Sequence, residues 1–187
     1  MNNEFTDCIR ASNFLVFFLK ENDYSERVAD IALAAERVRK KICYVCLSNT
    51  YDNAERLIVS RGIDAKKFCF IDTLSSYYGK EEPVENCFFV TSPYSLSEIK
   101  EAISCAINER GCRILIFDSI TSILEYKDIF DVLRFTHELL TENIYKKAKK
   151  VYLISAGNSI PEEETSRLIS DITMFADMVL EIPKSFS

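Results

Sequence analysis

Four apolar residues, Ile114, Leu115, Ile116 and Phe117, run without a break into Asp118. A short unbroken apolar run is what a strand buried on both faces requires, and such strands belong to parallel sheets sheathed by helices. Asp118 then stands at the strand's carboxyl end, the edge along which open α/β sheets place their crevice. Ser119 follows it. Asp and Ser also cap turns through their side chains, so the run constrains the fold more tightly than it constrains the chemistry.

Similar runs recur along the chain. Asn13 to Leu19, Lys41 to Leu47, Phe68 to Ile71 (ending at Asp72), Cys87 to Val90, Val151 to Ser155 and Met178 to Ile182 all read as strands. Helical patterns separate them. Asp23 and Glu26 have the spacing of a capping box ahead of Val28, Ile31, Ala32, Ala35 and Val38. Residues 50 to 61 form a helix stopped by Gly62. Ser95 and Glu98 open a helix whose apolar face is Leu96, Ile99, Ala102, Ile103 and Ala106, and Gly111 ends it. Asp128 to Lys149 reads as one long amphipathic helix, and 161 to 175 as a helix with acids at its start. Residues 1 to 12 have no clear pattern and read as a leader. The polar stretch 73 to 86, with Gly79 and Pro83, is expected to be a mobile loop. Strands alternating with helices require right-handed crossovers. The expected fold is therefore an α/β three-layer sandwich, a mostly parallel sheet with helices on both faces. The loop at 73 to 86 is too short to divide two cores, so residues 1 to 187 form a single expected domain.

Composition narrows the function. Hydrophobic residues make up 48% of the chain and the net charge is -6. That balance argues against a general nucleic-acid binder and against an anionic-membrane binder. The basic clusters Arg37, Arg39, Lys40, Lys41 and Lys146, Lys147, Lys149, Lys150 fall at expected helix C-termini, where cations complement the dipole. No apolar run approaches the ~20 residues of a membrane span, and residues 1 to 13 do not form a signal peptide. Seven cysteines, mostly in apolar segments, read as small buried hydrophobes of a cytoplasmic protein. Cys43 and Cys46 have CxxC spacing, but on a strand they point to opposite faces and make no metal clamp.

The stretch from Asn86 to Asn158 resembles the RecA-like core of KaiC-type ATPases, particularly the small archaeal proteins related to them. The resemblance rests on Phe89-Val-Thr-Ser-Pro93, on Ile116-Phe-Asp-Ser-Ile-Thr-Ser-Ile-Leu124, on Tyr126 and on Arg134-Phe-Thr-His-Glu-Leu139, with Phe70-Ile-Asp-Thr-Leu74 also fitting. It implies a P-loop NTPase core, with Asp118 in the place of the Walker-B carboxylate that holds Mg²⁺ and Ser119 beside it. It also implies a phosphate loop, Gly-x-x-x-x-Gly-Lys-Ser/Thr, after the first strand. Leu19 to Glu26 contains no glycine, and Lys20, its only cation, lies too early. Asp23 and Glu26 bring carboxylates to a helix N-terminus that would otherwise attract an anion. After the second strand, Leu47-Ser-Asn49 supplies no water-positioning acid before Asp52.

The expectation is therefore a degenerate member of that superfamily, non-catalytic and regulatory or signalling, with no cofactor. It would bind proteins: further copies of itself or an active KaiC-like relative. Two alternatives stay open. One is an atypical ATPase using Asp118, Mg²⁺ and ATP. The other is a small-molecule sensor with a pocket built from Asp72, Asp118, Ser155 and Asn158. His137, the only histidine, reads as a packing or helix-surface residue.

Overall fold

The computed structural model describes residues 2–79, 83–155 and 162–181. Its strands are β1 (Phe14–Leu19), β2 (Lys41–Cys46), β3 (Phe68–Asp72), β4 (Cys87–Phe89), β5 (Cys112–Asp118), β6 (Lys149–Ser155) and β7 (Met178–Glu181). They form one sheet in the order β4-β3-β2-β5-β6-β1-β7. Every neighbouring pair is parallel. All carboxyl ends therefore lie along one edge. β1 sits between β6 and β7, so the chain crosses over β6 and β5 to reach β2. That jump opens a crevice above the ends of β5, β6 and β1.

Among the described residues six α-helices sheathe the sheet: α1 (Asn2–Ala11), α2 (Tyr24–Arg37), α3 (Tyr51–Ser60), α4 (Leu96–Asn108), α5 (Ile129–Thr141) and α6 (Glu162–Phe175). Strand alternation divides the buried residues between two cores. Leu15, Phe17, Ile42 and Tyr44 pack against Val28, Ile31, Ala54 and Ile58 of α2 and α3. Val16, Val45, Leu115 and Phe117 pack against Ile99, Ile103, Val132, Phe135 and Leu168 of α4, α5 and α6. Cys43 belongs to one core and Cys46 to the other, as their strand spacing requires. The three-layer α/β architecture read from the sequence is the observed one. No helix among the described residues is long and apolar enough to cross a membrane.

Two local expectations are corrected. Within the expected leader, Asn2–Ala11 is helix α1, whose Phe5 and Ile9 are buried. Phe5 meets Phe17 of β1 edge-to-face at 5.5 Å between ring centroids. The long helix expected to reach Lys149 stops at Thr141, because Glu142 turns extended (ψ 136°). A 3-10 turn, Tyr145–Lys147, then leads into β6, whose Lys150 pairs in register with Phe14. Of the second basic cluster, Lys149 and Lys150 thus lie on a strand, and the Lys149 ammonium caps α1 by donating to the carbonyls of Ser12 (2.6 Å) and Arg10 (2.9 Å). The expected mobile loop is tethered at its start, where Thr73, Leu74 and Ser75 are buried.

Candidate functional site: the crevice at the strand ends

β5 delivers Asp118 to the floor of the crevice with only 1% of its surface exposed. Its main-chain carbonyl accepts the N–H groups of Leu47 (2.8 Å) and Ser48 (3.0 Å), locking β5 to the end of β2. Its carboxylate accepts from the hydroxyls of Tyr24 and of Ser48, the latter at 3.0 Å. Tyr24 is the first residue of α2. It follows a 3-10 turn, Glu21–Asp23, that occupies the exit of β1. The tyrosine therefore reaches across the crevice from the β1 side and closes over the aspartate. Burial pushes the Asp118 carboxyl above its ordinary value, and the hydroxyls of Tyr24, Tyr44 and Ser48 with the Asn49 amide pull it back. Burial, then the Asp118 charge, pushes the Tyr24 phenol well up, so it keeps its proton and donates.

The Asp118–Ser119 peptide is cis. A 3-10 segment that the sequence reading missed, Ile120–Glu125, follows it and buries Ile120, Ile123 and Leu124. Ser119 and Thr121 share a hydroxyl hydrogen bond of 2.9 Å. Ser119 also accepts from the Ser155 N–H (3.3 Å), and Thr121 donates to the Ser155 carbonyl (3.2 Å). These bonds tie the turn to the end of β6. Above them lies a cavity of about 330 Å³ walled by hydroxyls and the Asn49 amide, with the carboxylates of Glu21 and Glu125 at its rim. No Lys, Arg or His lines it among the described residues.

The structure thus brings together Asp118, Ser119 and Ser155 of the sequence candidates. Asp72 serves elsewhere. It is fully buried and accepts from the N–H groups of Tyr51 (2.6 Å), Leu74 (2.8 Å) and Ser75 (2.9 Å) and from the Ser75 hydroxyl (2.7 Å). It caps α3 and anchors the loop after β3. Cys46 stands between Asp72 and Asp118 in register, so the two carboxylates are separated by a whole strand. Asn158 lies outside the described residues. His137 is exposed on α5, against the Phe175 ring at 5.9 Å.

Both expected capping boxes are absent. Asp23 makes no cap bond, because its backbone (φ −125°, ψ 15°) ends the 3-10 turn and is not extended. Its carboxylate instead lies 3.6 Å from the buried Arg27 guanidinium, which also pairs with Asp30 at 3.2 Å. Ser95 makes no side-chain cap bond, and Glu98 accepts from the N–H (2.9 Å) and hydroxyl (2.7 Å) of Thr91. The sequence reading also missed Tyr24, Ser48 and Thr121. Tyr24 falls between Asp23 and Glu26, the two residues read as a capping box. The available signal was its position, since the first turn after β1 must face the crevice of such a sheet.

A Mg²⁺–triphosphate, the group the fold family would place here, needs backbone amides or cations around phosphate and an open carboxylate for the metal. These residues do not fit it. The carboxylate that would meet the metal is covered by hydroxyl donors, and the rim adds two further negative charges.

No family model and no curated protein matches the chain. Solved structures do. A KaiC-like protein from the hyperthermophilic archaeon Pyrococcus horikoshii OT3 superposes with a TM-score of 0.59 at 15% identity, over 94% of this chain and 74% of that one. An uncharacterised protein from Pyrococcus horikoshii, in complex with an unknown peptide, superposes with a TM-score of 0.67 at 13% identity, over 94% and 80%. At such identities the likeness establishes a KaiC/RecA-like fold and nothing finer.

Proposed function

We propose that this chain is a KaiC/RecA-like domain without nucleotide chemistry, a regulatory module that works by binding another protein. The observation that carries the reading is the Tyr24 hydroxyl seated on Asp118, in a crevice lined by hydroxyls and rimmed by carboxylates. The absence of any glycine between Leu19 and Glu26 agrees with it, since a phosphate cradle needs backbone that can close on the anion. A triphosphate entering here would meet like charges, each costing several kcal/mol at about 4 Å in a site of intermediate dielectric. Binding of a peptide by one structural neighbour supports protein recognition as the use to which such a fold can be put. A further copy of this chain or an active KaiC-like protein is the partner the fold suggests.

Thermal unfolding with and without Mg·ATP tests the reading. A ligand held at a hundred times its dissociation constant adds about 2.7 kcal/mol of stability. The expected result is no shift with Mg·ATP, Mg·GTP or nucleosides. A shift that disappears in Asp118→Ala would overturn the proposal and restore an ATPase reading.

A further inference from the structure

Beside the crevice, the same edge of the sheet carries four tyrosines in contact. The Tyr77 ring meets Tyr78 at 5.2 Å, Tyr94 at 5.9 Å and Tyr126 at 6.4 Å between centroids, all edge-on. They come from the loop after β3, the loop before α4 and the end of the 3-10 segment after β5. Three of them are open to solvent: Tyr77 by 46%, Tyr78 by 57% and Tyr94 by 45%. Large aromatic side chains clustered on a surface mark recognition sites, because they offer contact area at little rotamer cost.

The backbone beneath them is fixed in advance. Asp72 holds Leu74 and Ser75, and Tyr78 N–H closes a turn onto the Leu74 carbonyl at 3.0 Å. Gly79 completes that turn at φ +65°, a conformation side chains disfavour. Ser92 and Pro93, ahead of Tyr94, are buried. Such a surface loses little freedom when it is covered.

One carboxylate beside the rings, together with the ring faces, points to the occupant. The cations nearby already have carboxylate partners: Lys100 pairs with Glu138, while Lys127 (3.7 Å) and Arg134 (2.6 Å) share Asp131. Glu125, next to Tyr126, is exposed and has no ion pair among the described residues. Its charge is felt at the Tyr126 phenol, which burial, a hydrogen bond with Tyr78 and nearby charge push up to about 12. Tyrosine faces attract cations, and a guanidinium between such a face and a carboxylate satisfies both.

We infer that Tyr77, Tyr78, Tyr94 and Tyr126, with Glu125 at the rim, form the docking surface for an arginine- or lysine-bearing segment of a partner protein. The inference deepens the protein-binding reading above and rests on it.

The test is binding of fluorescent short-peptide pools, randomised except for two central arginines, against matched pools carrying two glutamates or two serines. The arginine pool should bind the native chain at least about tenfold more tightly than the glutamate pool. Tyr77→Ala with Tyr94→Ala should remove that preference. Tyr77→Phe, which keeps the ring face, should retain binding within about twofold. Glu125→Gln should weaken arginine binding and flatten its salt dependence. Equal binding of the pools, or binding indifferent to the tyrosine substitutions, overturns the inference. So does light scattering that shows a dimer dissociated by Tyr77→Ala, since a second copy would then cover the surface. Mg·ATP turnover would remove the non-catalytic reading without touching this result, so the two failures are distinct.

Discussion

Asp118 is a carboxylate whose surroundings decide its use. Held under Tyr24 and Ser48, it carries the cost of burial and recovers part of it from hydroxyl donors. Tyr24→Phe removes one donor and leaves the charge less satisfied. The expected loss is about 1–3 kcal/mol at neutral pH, read from urea unfolding. A Tyr24 hydroxyl that merely brushed the aspartate would cost nothing on removal. The pH dependence has a definite sign. Burial raises the Asp118 carboxyl in the folded state, so between the ordinary carboxylate value and that raised value the native chain binds more protons than the unfolded one. Its contribution to stability therefore grows as pH falls through the raised value and levels off below the ordinary one. Asp118→Asn should abolish this component. Subtracting the two stability profiles isolates it from the lowered carboxyls of Glu98, Asp128 and Asp177, which act in the opposite direction.

Among the elements, the strands were the most legible, because a strand buried on both faces announces itself in four or five consecutive apolar residues, as in Ile114 to Phe117. Helix ends were less legible. Leu140 and Ile144, four residues apart, fit one helical stripe, yet Glu142 breaks the helix so that β6 can start in register with β1. Tertiary pairing won there over local periodicity. Helix α1 was hidden because it offers few apolar anchors, chiefly Phe5 and Ile9, within a polar sequence. If α1 belongs to the fold as its packing indicates, Phe5→Ala should cost about 3–5 kcal/mol in denaturant unfolding. A detached leader would lose none.

For the whole molecule, a fully parallel sheet gathers every strand's carboxyl end on one edge, and with them the crevice and the tyrosine cluster. Sequence alone placed Asp118, Ser119 and Ser155 on that edge, because strand ends can be read locally. It did not reveal the Tyr24–Asp118 bond, which spans 94 residues, or the tyrosine cluster, which three separate loops assemble. It also assigned Asp72 to the crevice, although that side chain turns to the backbone of α3 and of its own loop. Fold and function separate at this scale. The KaiC-like arrangement of layers says where a ligand would sit, and the choice of ligand rests with the side chains at that place.

The most direct test is a crystal of the full chain soaked with Mg·ATP. The account predicts Tyr24 still bonded to Asp118 and no phosphate density at the exit of β1. Tyr24 swung aside, with phosphates resting on the amides of residues 20 to 26 and Mg²⁺ at Asp118, would contradict it.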